Sequence, residues 1–497
     1  MFHVGIDFGT SNCVAYVVRA NRYEHVPFSQ NSCILPSIVK IKNGAHIVGV
    51  TSEREDEIVI KSVKRLIGRS YDEINHMDDI STYGCPVVKG PDGMCWFQCG
   101  ESMISTSEIA TDIFKRIIDQ INEFTDGKIG RVVISVPANY APTQRYYIRQ
   151  AAEKAGITVS NLVNEPTAAS VTMGTDTTAN GYILVFDLGG GTVDVTILKL
   201  DDCVYRVESS VGKENLGGND FDALLLHHIE GLYMKDHNCS MWDGMSKKKK
   251  NRFMRRTMER IVTMKHLLST SDSETIDLDF ISEDCIYQIH RSTFESLIRP
   301  LVSNFSKLIE DALRRSEHCL TKNDIQHVIL VGGGCFIPLV KRQLHDEFPR
   351  AEFYDTELKL EHVAKGCCIC AKKKNYPDFS VFDVLSNSIG FSLFDGSIYT
   401  VFEKGMNLPQ SKDLSLSVQP LGAVSFRTKL VEVVDESQQI YRVLSEVDST
   451  EFVPDKYNLK PIRLHFEITI DGIVVMEAYA LPENVKCVTK RIQGVPI

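Results

Sequence analysis

Two short stretches of this 497-residue chain place an acid, a glycine turn and a hydroxyl in the same order. Asp7-Phe8-Gly9-Thr10-Ser11-Asn12 follows one apolar run, and Asp187-Leu188-Gly189-Gly190-Gly191-Thr192-Val193-Asp194 follows another. Apolar residues resume directly after each turn, as CVAYVV and VTILKL. A glycine turn lets backbone N–H groups approach phosphate oxygens with no Cβ in the way. The hydroxyl adds a donor, and an Asp at a strand end can hold magnesium, usually through its water shell. One Gly-Thr turn says little, because such turns are common. Two of them, about 180 residues apart, point to duplicated lobes that close on a nucleotide from opposite sides. A third element agrees: apolar Val328 to Val331, a bare Gly332-Gly333-Gly334 turn, and Pro338 opening a helix. A triglycine between strand and helix suits close approach of a nucleoside. No GxxxxGKS or GxxxxGKT sequence occurs, so this is not a P-loop protein.

The elements that must position these residues alternate along the chain. VGIDFG (4–9), RVVISVPA (131–138), GYILVFDLGG (181–190) and HVILVGGG (327–334) read as strands. Helices are expected over 105–124, 142–156 and 294–317. In the first of these, Ile109, Ile113, Ile117 and Ile121 recur at a spacing that keeps one face buried. Strands interleaved with helices over nearly 380 residues argue for α/β architecture. After KKKNYPD (372–378) the pattern changes to short alternating strands, at 388–403, 423–434, 462–481 and 485–492. Asp395-Gly396 and Asp471-Gly472 fall where hairpin turns belong. The boundary is expected at about 379–384, with a small all-β unit after it.

Composition sets the outer limits. Hydrophobic residues make up 43% and charged residues 24%, the balance of an ordinary globular chain. With 55 basic and 65 acidic residues the formal charge is −10, which disfavours general nucleic-acid binding. Lys247 to Lys250, with Arg252, Arg255 and Arg256, read as a solvated helix face rather than a nucleic-acid patch. No run approaches the ~18 apolar residues of a membrane span, and no signal sequence opens the chain, so the expected location is cytoplasmic. The 14 cysteines are scattered. Cys95 with Cys99, and Cys367, Cys368 and Cys370, lack the CxxC and His spacing of a zinc site, so they read as reduced core thiols.

DFGTSN, SVKRLIGRS, ISVPANY, NEPTAA, DLGGGTVDV, NLGGNDFD and VGGGCFIP together strongly resemble the heat shock protein 70 chaperones, in order along almost the whole chain. The resemblance implies an α/β actin-like ATPase domain of duplicated RNase H-like lobes over 1–378. A linker at 379–385 and a β-sandwich peptide-binding domain at 386–497 would follow. It implies ATP and ADP as ligands, with magnesium and potassium held largely through water by Asp7, Asp187 and Asp194. Thr10 and Ser11 would contact the phosphates, with Gly9 and Asn12 completing the turn, and Gly189, Gly190, Gly191 and Thr192 would line the second loop. Lys64 would reach the γ-phosphate and position the attacking water, and Glu165 would support the magnesium shell. Lys265 and Ser269 would face the ribose, while Gly332, Gly333 and Gly334 would face the nucleoside. Pro137, Arg145, Val381, Phe382 and Asp383 match interdomain switch and linker positions.

The chain also departs from that pattern. Phe336 stands where the family has an adenine-flanking Arg; an aromatic face can stack there too, the alternative being a core residue in a dead site. Val262 replaces the ribose Glu, His266 the second stacking Arg, and Asn161 the Arg that contacts J-domain co-chaperones. The chain ends at GVPI, where the family continues into a helical lid, so a lidless member is expected. The leading reading is an ATP-dependent chaperone that binds extended apolar segments, with J-domain and nucleotide-exchange partners. A client-dedicated paralogue, serving iron–sulfur cluster or viral assembly, and a nucleotide-sensing scaffold are the alternatives.

Overall fold

The computed structural model describes residues 1–497 except 21, 31, 43, 51–56, 75–82, 174–179, 202–203, 215, 283, 317, 355–360, 374–379, 383–384, 386, 394, 417–426, 436–439, 449–461, 481–484 and 492–497. The chain divides into two compact units, one of 1–180, 199–208 and 361–497, the other of 181–198 and 209–360.

The first unit opens on a mixed sheet of β1 (Phe2–Phe8), β2 (Asn12–Arg19), β3 (Arg22–His25), β4 (Ile34–Pro36), β5 (Ile129–Val136) and β6 (Val159–Asn164). Its order is β6-β5-β1-β2-β3, with β4 also paired to β2. β1 runs parallel to β5, with Val4 opposite Val132 and Ile6 opposite Ile134, and antiparallel to β2. Helices α1 (Thr106–Thr125), α2 (Pro142–Lys154) and α3 (Glu165–Val171) belong to the same unit. Ser105 caps α1 by accepting from the Glu108 N–H, and the four isoleucines of its apolar stripe are fully buried. They join Ile6, Phe8, Phe114 and Ile134 in one core.

The second unit repeats that plan with β7 (Gly181–Leu188), β8 (Thr192–Asp201), β9 (Val204–Glu214), β10 (Ile325–Val331) and β11 (Glu352–Tyr354). The order is β11-β10-β7-β8-β9, the same sequence of roles as in the first sheet. β7 runs parallel to β10, with Leu184 opposite Val328 and Phe186 opposite Leu330. Helices α4 (Gly218–His237), α5 (Lys247–Leu267), α6 (Arg291–Val302), α7 (Phe305–Arg315) and α8 (Pro338–Glu347) complete it around a core that includes Phe186, Phe221, Phe305 and Leu344. The single helix expected over 294–317 is therefore two. Pro300 has no N–H to donate, and its carbonyl accepts instead from the side chains of Ser303 and Asn304 at 2.9 and 3.0 Å. That local bonding closes α6 before α7 begins.

The chain then returns to the first unit through α9 (His362–Lys373) and β12 (Ser380–Phe382), which pairs in parallel with residues 204–206 of β9. Two antiparallel sheets follow. β13 (Ile389–Ser392), β14 (Ile398–Phe402), β16 (Arg427–Asp435) and β17 (Ile440–Asp448) form one, in the order β14-β13-β16-β17. β15 (Gln410–Leu416), β18 (Ile462–Ile468), β19 (Val474–Ala480) and β20 (Val485–Arg491) form the other, in chain order. Phe391 from the first and Phe466 from the second meet edge to face at 5.3 Å inside a shared core. Both Asp-Gly turns fall between paired strands as expected. β15 and β17 have no counterpart among the strands read from the sequence; QSKDLSL is too polar to show an apolar face, and its pairing with β18 makes it a strand.

Candidate functional site

Each unit carries one glycine hairpin, and each hairpin is built from its own strand ends. In the first unit β1 delivers Asp7 and the turn reverses into β2 at Asn12. A Cβ on Gly9 would lie 2.0 Å from the Asn12 carbonyl oxygen, so only glycine closes this turn. Ser37 anchors it from outside, donating to the Gly9 carbonyl at 2.7 Å. Ser135, at the end of β5, donates to the Asp7 carboxylate at 2.7 Å.

Lys64 comes from a single 3-10 turn (Val63–Arg65) and is only 5% exposed. Tyr140 holds the turn by donating its hydroxyl to the Lys64 carbonyl. The Lys64 ammonium pairs with Glu165, the first residue of α3. Burial pushes the Asp7 carboxyl up to about 6; Glu165 adds to the rise, while Lys64 and the Ser135 hydrogen bond oppose it. Burial also works against the Lys64 charge, but Glu165 and Asp7 outweigh it and hold the ammonium above its ordinary value. Asp7, Lys64 and Glu165 thus form one electrostatic cluster beside the hairpin. Thr10 lies half-buried on the turn, and Ser11 and Asn12 are exposed.

In the second unit β7 carries Asp187 one residue before its end, and the Gly189 N–H closes the turn on the Thr192 carbonyl at 3.0 Å. Thr192 and Asp194, on β8, are half-buried. The start of α4 is stitched to this loop: Gly218 N–H donates to Gly189 O at 3.0 Å and Asn219 N–H to Gly190 O at 2.6 Å. A Cβ on Gly217 would stand 2.8 Å from the Gly191 nitrogen, so residues 217–219 form a backbone-to-backbone seam with the loop. Lys265 reaches the same seam from α5, donating to Gly218 O at 3.0 Å and to Asp222 at 2.8 Å. Burial raises the Asp222 carboxyl, with Lys265 opposing. Gly332 has φ +82°, and a Cβ there would fall 2.4 Å from Leu188 O and 2.6 Å from the Asp187 carboxylate. The triglycine is therefore a spacer that lets β10 end against the second hairpin. Phe336 is half-buried in the following 3-10 turn (Gly333–Phe336), Ser269 is half-buried after α5, and His266 is exposed beside Val262.

The switch positions lie in the first unit. Pro137 ends β5, and Arg145 of α2 is 3% exposed. Its guanidinium donates to Tyr140 O at 3.1 Å, Ala138 O at 3.3 Å, Asn164 Oδ1 at 2.6 Å and Asp471 O at 3.4 Å. Asp471, in the β18–β19 turn, accepts from the Leu162 N–H at 2.7 Å and pairs with Arg149. A second link joins Arg442 of β17 to Glu73 at 3.5 Å, while Arg442 also pairs with Glu432 at 2.8 Å. Val381 and Phe382 pair through their backbones with Tyr205 and Arg206; Asp383 lies outside the described residues. Ser135, Tyr140, Asp222, Arg149 and Asp471 escaped the sequence reading. Ser135 and Tyr140 stand inside ISVPANY and Asp222 inside NLGGNDFD, motifs that carry the resemblance but gave these residues no role; Asp471 had its Asp-Gly turn, which pointed to a hairpin only.

Two strand-ended, Asp-bearing glycine hairpins on sheets of equivalent strand order define a duplicated protein of mixed α/β class. The Hsp70 protein family matches residues 3–493, and the chain belongs to that family of chaperones, whose ATPase fold is actin-like. It is 31% identical to the chaperone protein DnaK of Deinococcus radiodurans over 82% of this chain, and spans 66% of that relative's length. It is 30% identical to the chaperone protein dnaK of Cyanidium caldarium over 96% of this chain and 78% of the relative. With the chaperone protein HscA of Buchnera aphidicola it shares 29% identity over 96% of this chain and 91% of the relative. No helix among the described residues is long and apolar enough to cross a membrane.

Proposed function

We propose that this chain is an ATP-dependent chaperone whose peptide-binding β domain is governed by nucleotide at the two hairpins. Its domains in this reading are 1–378, a linker at 379–385, and 386–497. The observation that supports it most is the Asp7–Lys64–Glu165 cluster beside a hairpin that admits no Cβ. A carboxyl held near 6 by desolvation is a group whose charged form a cation would favour, so the residues fit magnesium. Asp7 on the first hairpin, and Asp187 and Asp194 on the second, are the residues that would hold magnesium and potassium through water; magnesium would supply neutralisation of phosphate charge.

The chain's own groups do the rest. Backbone N–H groups of 9–12 and 190–192, with the Thr10, Ser11 and Thr192 hydroxyls, hold phosphate oxygens. Lys64 exchanges its Glu165 partner for phosphate and orients water in line, adding charge stabilisation where negative charge spreads. Glu165 sits between this chemistry and Arg145, because Asn164, which accepts from Arg145, is its chain neighbour. From Arg145 the path runs to Asp471 and hence to the β18–β19 turn. Phe336 stacks on adenine in this reading, and Lys265 and Ser269 take the ribose.

Magnesium-dependent phosphate release from ATP, with and without a short apolar peptide, tests the proposal. Stimulation by peptide is expected; release that is absent with and without peptide leaves the scaffold reading. The match to the HscA relative supports a client-dedicated paralogue as second reading. A peptide array separates the two, since a dedicated protein retains one sequence class and ignores generic apolar peptides.

A further inference from the structure

We infer that His25, Cys33 and Glu361 form a zinc-binding site on the first unit, apart from the nucleotide hairpins. Their ligand atoms, an imidazole nitrogen, a thiol sulfur and a carboxylate oxygen, all lie within 4.8 Å of one another. The Cys33 sulfur is 3.4 Å from Glu361 Oε1. Bond lengths of ~2.3 Å to sulfur and ~2.0 Å to oxygen give a tetrahedral zinc a sulfur–oxygen edge of about 3.5 Å. That pair already stands at ligand spacing.

The three residues arrive from separate segments: His25 ends β3, Cys33 precedes β4, and Glu361 precedes α9. The support around them is the kind that fixes a metal ligand. The buried Tyr16 hydroxyl donates to Glu361 Oε2, leaving Oε1 aimed at Cys33. The Tyr16 ring also meets the His25 imidazole edge-on, at 6.2 Å. Such outer contacts orient ligands and typically alter metal affinity ~10-fold or more.

The donor set selects the ion. A thiolate with an imidazole and one carboxylate suits zinc and disfavours magnesium and calcium, which take oxygen. Charge balance agrees, because thiolate and carboxylate together neutralise a divalent ion. Binding replaces the Cys33 S–H bond by a sulfur–zinc bond and releases one proton to solvent. His25 is exposed, so the fourth position faces water. Occupancy would clamp the 25–33 segment to the start of α9, a helix that packs on β1.

The test uses the full chain, reduced, chelator-stripped and free of nucleotide, titrated with cobalt as a spectroscopic probe and then with zinc. One equivalent of cobalt should bind with a thiolate charge-transfer band and the visible bands of a tetrahedral ion, and zinc should displace it. Cys33→Ser should abolish the charge-transfer band. His25→Ala and Glu361→Gln should each weaken binding at least ~10-fold, and Tyr16→Phe by about 10-fold. His25 is a surface residue, so its variant keeps the test open if the others fold poorly. An unchanged band in Cys33→Ser would overturn the inference. So would a band insensitive to both His25→Ala and Glu361→Gln, which would mark a lone adventitious thiol.

Discussion

At the scale of single residues, Asp7 and Lys64 do opposite things to the protein that carries them. If Lys64 reaches the γ-phosphate as proposed, Lys64→Ala removes charge and water positioning from the transition state but leaves the proposed backbone phosphate contacts. Nucleotide affinity should change little, while single-turnover hydrolysis falls by ~10²-fold or more. Unchanged single-turnover hydrolysis would remove Lys64 from the chemistry. Asp7 gives a pH signature. Its value of about 6 in the folded chain exceeds the ~3.9 of a free carboxyl, so the folded state binds this proton more tightly. Its contribution to stability is greatest below about 4, declines as pH rises to about 6, and stays low above. Asp7→Asn should therefore raise the nucleotide-free Tm at pH 7.5, an advantage that disappears in scans near pH 4. Magnesium-dependent ATP affinity should run the other way, rising with pH through about 6 in the native chain and showing no such step in Asp7→Asn.

At the scale of elements, the second hairpin depends on close backbone approach rather than on side chains. The seam from Gly189 and Gly190 to Gly218 and Asn219 ties α4 to the loop, and the triglycine seats β10 against it. Phe336 emerges half-buried from that seated turn. If it stacks on adenine, Phe336→Ala should weaken ATP and ADP alike by ~1–2 kcal/mol, as calorimetry would read, since the base is common to both. Loss of ATP affinity alone would refute stacking.

At the scale of the molecule, the β18–β19 turn sits on α2 and β6 through an almost buried carboxylate. Asp471 is 6% exposed and answers the Leu162 N–H, with the Arg149 guanidinium beside it. A buried, hydrogen-bonded carboxylate is strongly selective for one docked arrangement, because removing a partner strands the others. Asp471→Ala should leave apolar-peptide binding in place but abolish peptide stimulation of the ATPase. Arg149→Ala should do so in part, since the backbone N–H bond remains. Stimulation equal to that of the native chain in Asp471→Ala would show that coupling runs elsewhere.

Much of this was legible in one dimension. Strand ends, glycine turns and the isoleucine stripe of α1 are set by spacings of a few residues, which periodicity and turn chemistry report directly. The twin Asp-Gly-hydroxyl motif marked both hairpins, and the ordered motifs marked the family. What the tertiary structure alone decided lies between residues far apart in the chain. Asp471 meets Leu162, Glu361 meets Tyr16 and Cys33, and Ser135 meets Asp7, each across more than a hundred positions. No local period encodes such pairs; they exist because sheet order and helix packing bring strand ends to a common edge. The same reason explains β15, whose polar residues become a strand only through β18, and the cysteine reading, which looked for zinc ligands at short spacing. Cys33 finds His25 and Glu361 only once β3, β4 and α9 are folded side by side.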